Sequence, residues 1–254
     1  MSNPSHFVFD LDDIANHRAA YPVLGHFMQL SIREVYVEFL QQGGQKPHVV
    51  IRLLTYHGVP CRDRHGDDVY LEGCLLSMDY HGGYDDLGEM TVKLTPYDTA
   101  SESARAGFRF PRLGDFTVDD MIFILQGYHH SLPYEHQTNL TAFNFVVADP
   151  VTGAVDGCRD VVTQWMIRLN TIGLVGWTAD YQSVKRIVFY GHLPSWGFHD
   201  LIGNNYTQSN SRDRNRNRIV NVTPLPLDRG VFHDPGVRRI ENYCGFQLPY
   251  NPPW

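Results

Sequence analysis

Residues 31–58 read SIREVYVEFLQQGGQKPHVVIRLLTYHG, and they carry the first clear secondary-structure signal in the chain. It holds two segments rich in Val, Ile, Tyr and Phe, which are joined across QQGGQKP. Arg33, Glu34 and Glu38 interrupt the first segment at near-alternate positions, as is typical of a strand with one solvated face. Because Gly and Pro separate two β-rich segments, residues 31–58 predict a β-hairpin.

Two more strands and then two helices are predicted along the chain. DVYLEGCLLSMDY (68–80) and EMTVKLTPYD (89–98) are also β-rich and bounded by turn residues. TVDDMIFILQGYHH (117–130) opens like a helix with a capping box, and DGCRDVVTQWMIRLNTIG (156–173) repeats apolar residues at helical spacing. FNFVVADPVTGAV (143–155) predicts a strand and a turn between them. A meander followed by helices favours an α+β fold with an antiparallel sheet and packed helices.

The composition is that of an ordinary globular chain, since 43% of the 254 residues are hydrophobic and 19% are charged. A chain of this length buries enough surface to fold without a disulfide or a structural metal. No internal repeat or long linker is present, so we expect a single domain over 1–254. Within it we expect three irregular parts: an N-terminal segment (1–30), an Arg-rich loop (205–220) and a Pro-rich tail (245–254).

Membrane, secreted and zinc-finger classes are disfavoured. The longest apolar runs, MIFIL and FNFVVA, are far shorter than the ~18 residues of a membrane helix. The start, MSNPSHFVFDLDD, has no basic region followed by an apolar stretch, so we expect a cytoplasmic protein without membrane contact. The four cysteines lack C-x-x-C spacing and are expected to be reduced thiols. Nucleotide-binding and metal-ligand motifs are absent, so neither a cofactor nor a metal is expected.

The net charge of −7 is unevenly distributed. Residues 1–150 hold 10 Lys/Arg and 20 Asp/Glu, whereas residues 151–254 hold 11 and 8. The basic excess is concentrated in four alternate arginines, which on a flexible loop could each reach an RNA phosphate. A solvated loop without a ligand is the other interpretation. The candidate RNA-binding residues are Arg212, Arg214, Arg216 and Arg218.

Cys158 is the candidate nucleophile. It lies in the first turn of the second predicted helix, where backbone N–H groups and the helix dipole stabilise a thiolate. Gly157 before it allows a substrate to approach closely, and the N–H groups of this turn could form part of an oxyanion hole. His48 opens the strand PHVVIRLL and is the candidate general base, which together gives the geometry of papain-like catalysis. The alternative interpretation is a small core thiol at a helix start.

The strand at 68–80 offers candidates for a third group. Tyr70, Glu72 and Cys74 share one face of it. If this strand neighbours the one with His48, Tyr70 or Glu72 could line the substrate pocket and orient the imidazole.

The segments around His48 and Cys158 resemble known families. A His on an early strand and a Cys at the start of a later helix is similar to permuted papain-like folds such as the lecithin–retinol acyltransferase group. PHVVIRLL and DGCRDVVTQWMIRLNTIGLV also resemble a fungal family of small proteins with a Gly-Cys-Arg helix start. That family has Trp after the His, where this chain has Val49. The resemblance covers about residues 31–175 and implies a permuted papain-like arrangement.

This resemblance extends to arginine-containing cyclodipeptide synthases of fungal secondary metabolism, and it implies a function. Such enzymes join two amino acids delivered as aminoacyl-tRNA and are associated with an Asp-x-x-Glu pattern. Asp86 and Glu89 match that pattern and could bind a cationic substrate, although a charged turn explains them equally. We therefore expect an acyltransferase that forms a Cys158 thioester. A cysteine-dependent cyclase or hydrolase of a small molecule without tRNA, and a non-catalytic binding module, stay open as alternatives.

Overall fold

The structure is a computed structural model, in which the described residues are 7–16, 18, 20–40, 48–63, 65–80, 87–99, 101, 104–134, 137–149, 154–178, 180–182, 187–190, 197–212, 214–215 and 218–252. Its helices are α1 (Leu11–Asn16), α2 (Pro22–Met28), α3 (Val118–Leu125), α4 (Cys158–Thr171) and α5 (Phe198–Ile202). Its strands are β1 (Val8–Phe9), β2 (Ile32–Leu40), β3 (His48–Arg62), β4 (Asp68–Tyr80), β5 (Leu87–Thr95), β6 (Ala104–Phe110), β7 (Ala142–Asn144), β8 (Val146–Asp149), β9 (Ala154–Asp156), β10 (Asp180–Gln182), β11 (Ile187–Tyr190), β12 (Asn204–Arg212), β13 (Arg218–Pro224), β14 (Val231–Phe232), β15 (Asn242–Tyr243) and β16 (Phe246–Gln247).

Nine of the described strands form one antiparallel sheet. Eight follow the order β10-β6-β2-β3-β4-β5-β7-β14, and β1 pairs with β5. The hairpin predicted from residues 31–58 is confirmed, because β2 and β3 pair with Val37 opposite Ile51. The strands predicted next, β4 and β5, continue the meander. The α+β fold with an antiparallel sheet is therefore confirmed.

The core lies between one face of this sheet and the helices. One row of the sheet places four buried side chains side by side across β2 to β5: Val37, Ile51, Leu76 and Val92. Helix α4 packs against β3 and β4, and α3 packs against α4. Trp165 of α4 is fully buried, and its indole N–H donates to the Leu140 carbonyl at 2.8 Å. The apolar stripe of α4 is thus what holds this helix over the sheet.

The termini of the two predicted helices also match the sequence signals. The Thr117 hydroxyl accepts from the Asp120 N–H, and the Asp120 carboxylate accepts from the Thr117 N–H, which completes the predicted capping box of α3. Helix α4 begins at Cys158 and is followed by Gly173 at φ 76°, a conformation that favours glycine.

The sequence interpretation was wrong about residues 1–30 and missed β6. The N-terminal segment contains β1, α1 and α2 rather than irregular chain, and Leu24 and Phe27 of α2 are fully buried. Pro22 begins α2, because its fixed φ and missing N–H suit the first helical turn. Strand β6, with the sequence ARAGFRF, lies between β2 and β10.

The region 205–220 is mostly strand and not a loop. Strands β11, β13 and β12 form a separate three-stranded sheet, in which β12 and β13 are antiparallel and Arg212 faces Arg218. Side chains alternate between the two faces of this hairpin, so one face can be buried. Tyr206 and Val222 are paired across the strands on the buried face.

The Pro-rich stretch 245–254 is not a loose tail over its described part. It includes β16, and Tyr250 forms a bridge with Leu227. The Leu227 N–H donates to the Pro249 carbonyl at 2.7 Å, so this part is packed against the rest of the protein. Among the described residues, no helix is long and apolar enough to cross a membrane.

Candidate active site

His48 and Cys158 meet where β3 begins and α4 begins. The His48 Nδ1 lies 3.2 Å from the Cys158 Sγ, within the hydrogen-bond range of sulfur. The Cys158 residue is half-buried, and the His48 side chain is 12% exposed. The predicted proximity of the two side chains is confirmed, and their catalytic roles stay a prediction.

Gly157 fixes the position at which α4 starts. Its φ is 133°, a backbone conformation that residues other than glycine rarely adopt. A Cβ at this position would lie 2.5 Å from the Phe143 ring and 3.3 Å from the Phe145 ring. Those two rings contact each other edge to face, with centroids 5.4 Å apart. Phe143 of β7 and Phe145 therefore leave no room for a Cβ at position 157. A glycine is required directly before Cys158 for the backbone to take this path.

Asp79 of β4 is the third member of the cluster, and the sequence interpretation missed it. Its Oδ1 lies 4.0 Å from the His48 Nε2, the nitrogen that does not face Cys158. The ladder of β3 and β4 pairs Ile51 with Leu76, and continuing it by three residues sets His48 opposite Asp79. The order Cys158, His48, Asp79 is that of a nucleophile, a base and a carboxylate that orients the base.

Tyr70 and Glu72, which the sequence analysis offered for this role, lie elsewhere. Their strand does neighbour β3, as the prediction required, but Tyr70 pairs with Pro60 near the other end of β3. Glu72 is seven residues from Asp79 along β4, which is about 23 Å at the rise of an extended strand. The register therefore contradicts the assignment of Tyr70 and Glu72 to the site.

The surroundings of His48 favour its neutral form. Burial lowers the pKa of the His48 imidazole below its ordinary value because desolvation disfavours the cation, and the Asp79 carboxylate partly opposes this. A neutral imidazole has one nitrogen that accepts and one that donates. With Nδ1 facing the thiol as acceptor, Nε2 carries the proton toward Asp79. This tautomer is the one that a general base for Cys158 requires.

A second carboxylate, that of Glu89, lies beside Asp79. Glu89 of β5 is directly opposite Asp79 in the ladder, where paired side chains have Cβ atoms about 5 Å apart. The other half of the predicted pair, Asp86, lies outside the described residues. The structure thus brings Glu89 to the Asp79 side of the cluster.

The candidate RNA-binding arginines are only partly covered by the structure. Arg212 and Arg214 are exposed at the turn of the β12–β13 hairpin, and Arg218 begins β13. Arg216 lies outside the described residues. Within the described part of the chain, no group of three or more His, Cys, Asp or Glu side chains is arranged to hold a metal.

The two residues after Cys158 anchor the helix to the C-terminal part of the protein. The Arg159 guanidinium donates to the carbonyls of Leu225, at 2.5 Å, and Pro226. Asp160 is fully buried and accepts from Arg239, from the Tyr250 hydroxyl at 2.7 Å and from the Gly230 N–H. The Gly-Cys-Arg motif therefore includes one residue that faces His48 and one that faces the C-terminal segment.

Comparisons with family models, with curated proteins and with solved structures found no match to this chain.

Proposed function

We propose that this protein is a cysteine-dependent acyltransferase with Cys158 as nucleophile, His48 as general base and Asp79 as the carboxylate that orients His48. The observation that carries the proposal is the 3.2 Å separation of the Cys158 Sγ and the His48 Nδ1, with Asp79 beyond the other ring nitrogen. A strand histidine that precedes a helix-start cysteine in the chain supports a permuted papain-like arrangement. A thiol that only fills the core needs no such partner.

The concrete form of this proposal is a tRNA-dependent, arginine-containing cyclodipeptide synthase. His48 takes the thiol proton, and the Cys158 thiolate attacks the ester carbonyl of an aminoacyl-tRNA. The C–S bond forms and the C–O bond breaks, and the tRNA hydroxyl leaves with the proton from His48. Backbone N–H groups in the first turn of α4 stabilise the oxyanion of the tetrahedral intermediate.

The second half of the reaction forms two amide bonds. The amine of a second aminoacyl-tRNA attacks the thioester, its proton passes to His48, and the thiolate leaves. The amine of the resulting dipeptidyl ester then attacks its own ester carbonyl, which releases the second tRNA and closes the ring. A thioester suits this sequence because it reacts readily with amines and a half-buried site limits competing hydrolysis.

Glu89 and Asp86 would recognise a cationic substrate in this scheme. Glu89 lies opposite Asp79, so a guanidinium or ammonium group bound there would be next to the nucleophile. The expected consequence is that Glu89→Gln weakens the use of a cationic substrate and leaves the stability of the fold nearly unchanged.

A second candidate function is a cysteine hydrolase or cyclase of a small cationic molecule, without tRNA. The favouring observation is that carboxylates at Asp79 and Glu89 flank the dyad, and these repel RNA phosphates. In this version the same thioester is resolved by water or by an internal amine of the substrate.

Product analysis in a living cell tests the main proposal. The protein is expressed in a cell with ordinary tRNA pools, and the medium is analysed by mass spectrometry for diketopiperazines. We expect a product from the wild type and from Cys61→Ala, a matched change in a half-buried cysteine at the far end of β3. We expect none from Cys158→Ala. Turnover of aminoacyl adenylates in the absence of RNA would exclude the tRNA version in favour of the second candidate.

Selective alkylation separates both enzymes from a non-catalytic binding module. Iodoacetamide at neutral pH should modify Cys158 faster than Cys61, because His48 supplies a base to only one of them. An inert Cys158 would refute both enzyme proposals.

The tRNA contact has its own test. Arg212→Ser with Arg214→Ser should flatten the slope of log affinity against log salt for aminoacyl-tRNA by about 1–2. An unchanged slope would contradict a role for these arginines.

A further inference from the structure

We propose that Thr91 is a positioning residue that, together with Ser77, holds the Asp79 carboxylate in place behind His48, an inference that rests on the proposed role of the Cys158 centre. The two hydroxyls form a buried chain that ends on this carboxylate. Thr91 is 5% exposed and Ser77 is 8% exposed. The Thr91 Oγ1 lies 2.6 Å from the Asp79 Oδ2, and the Ser77 Oγ lies 3.0 Å from the Thr91 Oγ1.

The chemistry of the three groups fixes the direction of this chain. An ionised carboxylate only accepts hydrogen bonds, so the single Thr91 hydroxyl proton is donated to Asp79. The Ser77–Thr91 contact could otherwise run either way, but Thr91 has no second proton. Ser77 must therefore donate to Thr91. Hydrogen bonds aligned in one direction polarise each other, which strengthens the one that reaches the charge.

Asp79 needs such a restraint because of its surroundings. Its side chain is 43% exposed, and its Oδ1 is 4.0 Å from the His48 Nε2, which is too long for a direct hydrogen bond. Glu89 lies directly opposite on β5, and like charges in that position repel each other. His48 alone therefore does not hold the carboxylate, whereas Thr91 binds the oxygen that His48 does not face.

These hydrogen bonds should affect the ionisation of Cys158. Asp79 favours the imidazolium form of His48, and that form is the partner of the Cys158 thiolate. A carboxylate that is free to swing away stabilises the imidazolium less. Loss of the Thr91 hydroxyl should thus lower the thiolate population without touching Cys158 or His48.

The test compares Thr91→Val with two matched variants in the full chain. Thr91→Ser keeps the hydroxyl. Thr95→Val removes a hydroxyl that is equally buried on the same strand but contacts Arg52 instead of Asp79. The His48 ring signals are titrated by NMR with isotopically labelled histidine and are assigned with His48→Gln. In parallel, the rate of Cys158 alkylation is measured against pH.

We expect Thr91→Val to lower the pKa of His48 and to slow alkylation at pH 7 by about three- to tenfold. Thr91→Ser and Thr95→Val should behave like the wild type. In an Asp79→Asn background, Thr91→Val should have no further effect, because the group it positions has lost its charge. A Thr91→Val titration that superposes on the wild type, or an equal shift in Thr95→Val, would overturn the proposal.

Ser77→Ala provides a second variant in case Thr91→Val does not fold. It leaves the Thr91 donor in place but removes the hydrogen bond that Thr91 accepts. We therefore expect the pKa of His48 to fall by less than in Thr91→Val. An unchanged His48 titration in a folded Ser77→Ala protein would contradict the role of Ser77 in holding Thr91 and Asp79. A Cys158 that is inert in the wild type would refute the proposed function, whereas the His48 titration would still decide the role of Thr91.

Discussion

The first turn of α4 faces two different environments on its two sides. Cys158 is half-buried and meets the strand residue His48. Asp160, two residues later and about 200° around the helix axis, is fully buried and binds Arg239, Tyr250 and the Gly230 backbone. The sheet side thus has the contact between Cys158 and His48, and the C-terminal side has several hydrogen bonds to one charge.

This difference separates the proposed chemistry from anchoring within a single turn of α4. A buried carboxylate is tolerated only when its charge is paired and its oxygens are hydrogen-bonded, so Asp160 cannot shift without a large cost. Cys158 bears no such constraint and can approach a substrate. The anchor two residues away therefore holds Cys158, the proposed nucleophile, in place without contacting its thiol.

The proposed function predicts that Cys158→Ala abolishes all turnover. The nucleophile is removed, whereas the free energy of unfolding should change by less than about 1 kcal/mol because the side chain is small and half-buried. Product formation and urea unfolding, compared with Cys61→Ala, test this. Loss of folding together with activity would make Cys158 an anchor like Asp160 and would remove the contrast between the two sides.

Asp160→Asn should cause the largest loss of stability. The change leaves the Arg239 guanidinium, whose side chain is 18% exposed, without its anionic partner, and breaking such a pair costs about 3–5 kcal/mol. Chemical unfolding measures this, with Asp228→Asn as the control, because Asp228 is a half-buried carboxylate that accepts from the Asn251 amide at 2.7 Å in the same part of the chain. A variant as stable as the wild type would show that the C-terminal segment does not anchor α4.

Much of the fold was predictable because its signals are local. The β2–β3 hairpin has β-rich segments around Gly and Pro, and α3 has a complete capping box. Strand β6 was missed because ARAGFRF has no β-branched residue. It is a strand because β2 and β10 pair with it on both sides, a tertiary effect that outweighs composition. The short strands β14 and β15 were not predicted for a related reason, since β14 pairs with the distant β7 and the Tyr243 hydroxyl of β15 contacts α4.

The candidate site was predictable in part for the same reason. Cys158 and His48 each begin an element, and the start of an element can be read from sequence. The position of Asp79 beside His48, by contrast, depends on the register between β3 and β4. The pairing shifts by three residues between Leu54–Gly73 and Val59–Leu71, so counting from the β3–β4 turn would place His48 opposite position 82. A bulge of this kind leaves no reliable sequence signal.

Tyr250→Phe should have a smaller effect than Asp160→Asn. It removes the hydroxyl that donates to the Asp160 Oδ1 and contacts the Gln164 amide, and it keeps the ring. A hydrogen bond to a buried charge contributes about 1.5–3 kcal/mol, so a loss in this range is expected in urea unfolding. Alkylation of Cys158 should remain within about twofold of the wild type, because Arg239 still holds the helix. A large drop in alkylation would indicate that the two sides are coupled.

The smallest expected effect concerns pH and the sheet side. The pKa of His48 is lowered in the folded protein, so the unfolded chain takes up a proton first as the pH falls. His48 therefore contributes stability that is present above its unfolded pKa of about 6.5 and is lost below it. The stability of the wild type relative to His48→Gln should decrease between pH 7 and pH 5. A pH-independent difference would contradict a neutral, buried His48.

The buried Asp160 also has a consequence for when the proposed catalytic centre assembles during synthesis. The residues that donate hydrogen bonds to it in the structure, Gly230, Arg239 and Tyr250, leave the ribosome only after all of α4. Until they emerge, a docked α4 would bury a carboxylate without these partners, which is strongly unfavourable. A nascent chain that already contains His48, Asp79 and Cys158 should therefore bring the three side chains together only after residues 230–250 have emerged.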